Sequence, residues 1–103
     1  MDKARRAKLE AAGWAVGTPT DFLKLSSEDE AFIDMKVALA ATLRRLRMEQ
    51  HLTQLAAANR LQSSQSRVAK MERADKTVTV DLLIRSILKL GGTRETVAAA
   101  LHP

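Results

Sequence analysis

Apolar residues recur at three- and four-residue intervals along most of the chain, the spacing that places them on one side of a helix. Ser27–Glu30 predicts a capping box at the start of a helix of about 20 residues that runs toward Gln50. The face of this helix expected in the core consists of Phe32, Met35, Leu39, Leu43 and Leu46. Thr79 and Thr93 predict the starts of two later helices, and Gly91–Gly92 predicts the end of the first of them. The pattern indicates an all-α fold.

The segment 52–73 predicts two short helices joined by a tight turn. Its apolar positions keep the helical spacing on both sides of the turn, at Leu52, Leu55, Ala58, Leu61, Val68 and Met71. Thr53 and Ser64 each precede a helical run, where a hydroxyl accepts a hydrogen bond from a first-turn amide. Gln62 stands where the chain must turn, so it either takes a left-handed conformation or moves the turn by a residue. Two helices of an ordinary bundle are the alternative interpretation.

The remaining positions of the second short helix are expected to face solvent. They are short or forked side chains that hydrogen-bond to base edges and phosphates, with one small residue that allows close approach: Gln65, Ser66, Arg67, Ala69 and Lys70. This composition favours a helix that reads DNA.

These residues resemble the helix-turn-helix of the Xre/Cro family of bacterial and phage repressors. The resemblance is carried by LTQ from Leu52, by Ala58 and Leu61, and by SQSRV-x-K-x-E at 64–72. It implies a compact bundle of about five helices containing a lambda-repressor-like helix-turn-helix. In that family the first Gln of the leading helix binds a phosphate, and the next helix reads the major groove. The DNA-binding residues predicted in this way, with neighbouring polar and basic positions, are Gln54, Ser64, Gln65, Ser66, Arg67, Lys70, Arg73 and Lys76.

We expect residues 1–26 to form an N-terminal arm with a short helix, and residues 27–103 to form the Xre-type domain. The pattern GW-x-VG-T-x-x-x-FL-x-LS at 13–26 is similar to a segment of Xre-like proteins, many of them HigA-type antitoxins. That resemblance implies an autorepressing antitoxin with a small ribonuclease toxin as partner. Two alternatives remain: Trp14, Phe22 and their apolar neighbours pack on the bundle, or the protein is a stand-alone repressor.

The net charge of +5 is concentrated in one part of the chain. Residues 44–76 contain eight Lys or Arg and three acidic residues, so this segment alone carries 8 − 3 = +5. A basic segment that coincides with the predicted helix-turn-helix indicates a polyanionic partner, and double-stranded DNA fits best. A solvated basic face without a partner is the alternative. RNA is a weaker candidate, because the chain has only three aromatic residues to stack on bases.

Enzymatic activity is not expected. The chain has no Cys and only His51 and His102 as histidines, so it offers no recognisable nucleophile, metal cluster or phosphate cradle. No cofactor and no metal is predicted. No signal peptide or membrane span is indicated, and the cytoplasm is the expected location. The Xre resemblance implies a two-fold homodimer on an inverted-repeat operator, with Leu82–Leu90 and the helix after Thr93 as the candidate contact surface.

Overall fold

The computed structural model describes residues 26–102, and these form five α-helices. The helices are α1 (Ser27–Glu49), α2 (Gln54–Arg60), α3 (Gln65–Glu72), α4 (Val80–Lys89) and α5 (Arg94–Leu101). Within this range there is no strand. The predicted all-α bundle of about five helices is confirmed, and what was expected of Trp14 and the short N-terminal helix lies outside the described residues.

Each helix begins at a hydroxyl side chain. Ser26 caps α1, and its Oγ accepts a hydrogen bond from the amide of Asp29 at 3.1 Å while the Asp29 carboxylate accepts one from the Ser26 amide. The capping box predicted at Ser27–Glu30 is therefore wrong by one residue, because Ser27 already has helical geometry. The caps of the four later helices are the residues that the sequence predicts: Thr53, Ser64, Thr79 and Thr93.

Helices α1 to α4 all end in the same way, with one left-handed residue after the last helical turn. These residues are His51, Gln62, Ala74 and Gly91, with φ of 56°, 53°, 54° and 96°. At α2 the Ser63 amide donates to the Ala58 carbonyl at 2.8 Å and the Gln62 amide donates to Asn59 at 3.3 Å. This pair of bonds is the Schellman motif, which satisfies carbonyls that the helix leaves unpaired. Of the two alternatives that the sequence left open at Gln62, the structure has the left-handed conformation.

The core lies between α1 and the four shorter helices. Its fully buried large side chains come from three helices and are Leu39, Leu43, Val68, Met71, Leu83 and Ile87. Ala58, one of the apolar positions predicted in the segment 52–73, is buried at 1% exposure. Helix α1 packs on α3, α4 and α5, and α2 packs on α3. The second short helix of the predicted motif is thus fixed from two sides.

The first half of α1 faces differently from the prediction. Phe32 and Met35 are 48% and 38% exposed, whereas Ile33 and Lys36 are 4% and 3% exposed. In this half of the helix the buried residues each come one position after the predicted ones. One of them is Lys36, which the apolar pattern assigns to solvent. Leu55 was also expected in the core and is 56% exposed.

Candidate nucleic-acid interface

Helix α3 presents its polar residues to solvent because two apolar residues anchor its other side. Val68 and Met71 are each 1% exposed and belong to the core. Ser64 caps the helix by accepting a hydrogen bond from the Arg67 amide at 3.1 Å. The residues predicted to read DNA from this helix are all exposed: Gln65, Ser66, Arg67 and Lys70. Their side chains extend from the first turns of a helix whose own position is fixed.

A groove lies between the start of α3 and the turn that leads to α4. We call it the α3 groove; it has a volume of about 370 Å³ and is lined by Ser64, Ser66, Arg67, Lys70, Thr77, Val78 and Leu82. Hydroxyl, guanidinium and ammonium groups thus line one concave surface. Such groups donate to phosphate oxygens and to the acceptors on base edges.

The basic side chains of this surface differ in whether they form salt bridges with acidic residues of the chain. Within residues 26–102, Arg67 and Lys70 make no salt bridge. Arg73 lies 3.5 Å from the Asp75 carboxylate, and its side chain is 46% exposed. Lys76 is exposed. Arg67 and Lys70 therefore offer their charge to an outside anion without breaking a salt bridge in this part of the chain.

The α3–α4 turn (residues 73–79) forms the second side of the α3 groove. The Asp75 carboxylate accepts hydrogen bonds from the amide and the hydroxyl of Thr77, at 3.0 and 2.7 Å. The bond from the Thr77 amide, followed by that from its hydroxyl, lowers the pKa of Asp75 below its ordinary value. The Val78 amide donates to the Asp75 carbonyl at 2.9 Å. These bonds fix the turn that carries Lys76 and Thr77 past the reading helix.

Gln54 is held by a charged network that the sequence did not predict. It is the first residue of α2, half-buried, and its side-chain Nε2 donates a hydrogen bond to Glu72 Oε1 at 3.2 Å. Glu72, in the last turn of α3, also accepts two hydrogen bonds from the Arg47 guanidinium. Arg47 in turn donates to the Leu52 carbonyl at 2.9 Å. The side-chain amide of Gln54 has a second hydrogen that remains available to a phosphate.

The eight predicted DNA-binding residues therefore fall into three groups. The α3 groove brings together Ser64, Ser66, Arg67 and Lys70, with Gln65 exposed beside them. Arg73 and Lys76 flank the same region on the α3–α4 turn, and Gln54 is bound to Glu72 at the start of α2. Arg47 and Glu72 are the residues that sequence reasoning missed, because they pair 25 positions apart and no local spacing signals such a pair.

The described residues offer neither a metal cluster nor a membrane-spanning helix. In the part of the chain that the structure describes, no group of three or more His, Cys, Asp or Glu residues is arranged to hold a metal ion. None of the described helices is long and apolar enough to cross a membrane.

Comparison with known proteins gives one match. A family described as a helix-turn-helix domain matches residues 22–98 of the 103 residues. This range includes α1 to α4 and most of α5. Searches of curated proteins and of solved structures found no match. Because the match covers well over half of the sequence and contains α2, α3 and the α3 groove, the chain belongs to the helix-turn-helix domain family and is a DNA-binding regulator.

Proposed function

We propose that this protein binds double-stranded DNA sequence-specifically, with α3 in the major groove. The observation that carries the proposal is the exposed polar face of α3, on which Arg67 and Lys70 have no salt-bridge partner within residues 26–102. Gln65, Ser66 and Arg67 are the proposed base-contacting residues, since amide, hydroxyl and guanidinium groups match the donor and acceptor pattern of base edges.

The proposed phosphate contacts surround that face. They come from the start of α2, the cap of α3, the middle and end of α3 and the α3–α4 turn: Gln54, Ser64, Lys70, Arg73 and Lys76. Phosphate contacts set the position of the protein on the duplex, and counterion release makes affinity fall with salt. We expect steep salt dependence for a surface with this many cationic side chains.

We propose further that the regulator acts as a two-fold dimer on an inverted repeat. Two exposed apolar side chains support this. Leu88 of α4 and Leu101 of α5 are 46% and 37% exposed, although both helices belong to the bundle. A two-fold contact uses the same patch on both copies, and it sets the two reading helices about one DNA turn apart.

The test is selection of bound duplexes from a random library by the purified protein, followed by sequencing. We expect an inverted repeat with half-site centres about 10 base pairs apart. Lys70→Ala should weaken binding to the selected site, and Arg45→Ala is the control, an exposed cation on α1 that lies outside both the α3 groove and the proposed dimer surface. A library with no enriched sequence would refute specific recognition. Equal losses in both variants would refute the placement of the interface on α3.

A second proposed role is that of an autorepressing antitoxin that blocks a small ribonuclease toxin. Besides the resemblance of residues 13–26, the specific support is a second groove, here called the α1 groove. It has a volume of about 670 Å³, and its described lining is Val37, Ala40, Ala41, Arg44, Arg45, Met48, Glu49, Glu72, Arg73 and Ala74. No described residue lines both grooves. A protein bound here would cover Arg73, one of the proposed phosphate contacts, but none of the proposed base-contacting residues of α3.

The antitoxin role is tested by purifying the protein from its source cell after DNase treatment and identifying partners by mass spectrometry. Met48→Glu should release a toxin held at the α1 groove. Leu55→Glu is the matched control, because Met48 and Leu55 are 54% and 56% exposed and Leu55 does not line that groove. Recovery of a small protein encoded next door would support the role. Specific DNA binding with no protein partner would leave a stand-alone repressor.

A further inference from the structure

Lys36 is a buried lysine on α1. It is 3% exposed and lies on the same helical face as Ile33 and Ala40. Lysine is almost never fully buried unless its ammonium group is paired, because removing a charge from water is costly. Burial lowers the pKa of Lys36, and the nearby Asp75 carboxylate opposes that shift. A residue kept in such a place needs an interaction that offsets the cost.

The ammonium group of Lys36 faces the α3–α4 turn. Its Nζ lies 3.5 Å from the backbone carbonyl oxygen of Lys76, a contact between residues 40 positions apart. Asp75, one residue earlier in the turn, is bonded to Thr77 through its carboxylate. The turn is therefore held by its own Asp75–Thr77 bonds and also by a cation that reaches it from α1.

The position of this turn matters to the proposed DNA surface. Thr77 lines the α3 groove opposite residues of α3, and the Lys76 side chain is exposed next to it. A contact to the Lys76 carbonyl restrains the backbone from which the Lys76 side chain extends. A phosphate contact that is already in place costs less ordering free energy on binding than one made by a mobile loop.

We propose that Lys36 is a positioning residue for DNA binding: without touching DNA, it holds the α3–α4 turn so that Lys76 and Thr77 meet the phosphate backbone beside α3. The inference rests on the proposed DNA-binding function. It assigns a role in the interface to a residue of the core, on a helix that contributes no predicted base contact.

The experiment measures DNA affinity against salt concentration for the native chain and for Lys36→Met, which keeps an unbranched apolar side chain and removes the charged end. Loss of one phosphate contact lowers the salt slope by about 0.9, so the ratio of native to variant affinity should fall about three- to fourfold between 50 and 200 mM salt. Thr42→Val is the matched control: Thr42 is also buried on α1, but its hydroxyl bonds to Ala38 of the same helix. Its slope should stay native.

A double-mutant cycle separates positioning from a general loss of stability. In a Lys76→Ala background there is no cation left to position, so Lys36→Met should have little further effect on the slope. Lys36→Arg keeps a cationic donor and should retain a near-native slope. Additive losses in the cycle, or a native slope in Lys36→Met, would overturn the inference.

A measurement without DNA tests the role of Lys36 in the turn separately from the proposed DNA-binding function. Amide hydrogen exchange at Thr77 and Val78, whose amides donate to Asp75, should be faster in Lys36→Met and native in Thr42→Val. Unchanged exchange would overturn the inference whether or not DNA binds. A native chain that binds no DNA specifically, but whose turn loosens in Lys36→Met, would refute the proposed function and leave the positioning of the turn standing.

Discussion

Replacing Glu72 by glutamine tests the network that joins α1, α2 and α3. The side chains of Glu72 and Arg47 are 6% and 14% exposed, so the pair is largely screened from water. The carboxylate accepts two N–H groups from Arg47 and one from Gln54. Glu72→Gln keeps the volume and one acceptor oxygen, but it replaces the other oxygen with an amide group that cannot accept.

The expected cost is about 3 kcal/mol in the free energy of unfolding. A broken buried ion pair typically costs about 3–5 kcal/mol, and a hydrogen bond to a charged group contributes about 1.5–3 kcal/mol. The lower end applies because the introduced glutamine still accepts one bond and Arg47 keeps its bond to the Leu52 carbonyl. Urea unfolding followed by far-UV circular dichroism, at one protein concentration, measures the change.

Glu49→Gln is the matched control for this prediction. Glu49 pairs with Arg45 at 3.5 Å on the surface, where the two side chains are 61% and 60% exposed. Solvent screens such a pair, so the same substitution should change the free energy of unfolding by less than about 0.5 kcal/mol. Equal small losses in the two variants would refute the view that the Arg47–Glu72 pair holds the three helices together.

Three further predictions concern single residues. Gln62→Gly should raise the free energy of unfolding by about 1 kcal/mol, since the exposed Gln62 holds φ at 53°; thermal unfolding measures it. Arg67→Ala and Gln65→Ala should each weaken binding to the selected operator by about 1–3 kcal/mol, measured by fluorescence anisotropy. The pKa of Asp75 is lowered from 3.8 in the folded protein, so its ionised carboxylate stabilises the fold fully above pH 3.8. This stabilisation is lost as the pH falls from 3.8 through the lowered pKa. The difference in free energy of unfolding between the native chain and Asp75→Asn should therefore shrink over that pH range.

Each of these has a result that would contradict it. Gln62→Ala keeps a Cβ and should not reproduce the gain; equal stabilisation in both variants would mean that left-handed strain is not the cause. Retained specific affinity in both Arg67→Ala and Gln65→Ala would remove them as base contacts. A stability difference for Asp75→Asn that does not shrink as the pH falls below 3.8 would show that the Thr77 bonds do not favour the ionised form.

Helix boundaries could be predicted from the sequence because neighbouring residues determine them. Thr53 and Ser64 each bond to an amide three positions later, so the signal lies within one helical turn. The orientation of α1 could not be predicted in the same way. Its first half buries Lys36, whose contact with the Lys76 carbonyl joins residues 40 positions apart, and no local pattern indicates such a contact.

The candidate site could be predicted from the sequence to about the same extent as the fold. The exposed face of α3 follows from the buried positions of Val68 and Met71, which are fixed by helical spacing. Whether a basic side chain in that region already pairs with an acidic residue depends on tertiary contacts. The structure alone shows that Arg73 forms an ion pair with Asp75 and that Gln54 donates a hydrogen bond to Glu72.

The repeated left-handed helix ends have a consequence for how this chain reaches its fold. Three of the four connections between these helices are four residues long, at 50–53, 61–64 and 90–93. The left-handed residue in each of them is accompanied by hydrogen bonds back to carbonyls of the last turn of the preceding helix. Little loop-closure entropy must be lost before neighbouring helices meet, and helical domains with such local contacts fold on the order of microseconds to milliseconds. The contacts between residues distant in sequence are those that α1 makes with α3, α4 and α5, and they include Lys36 with Lys76 and Arg47 with Glu72. The charged contacts that shape the DNA surface are therefore expected to form only when α1 packs on the later helices.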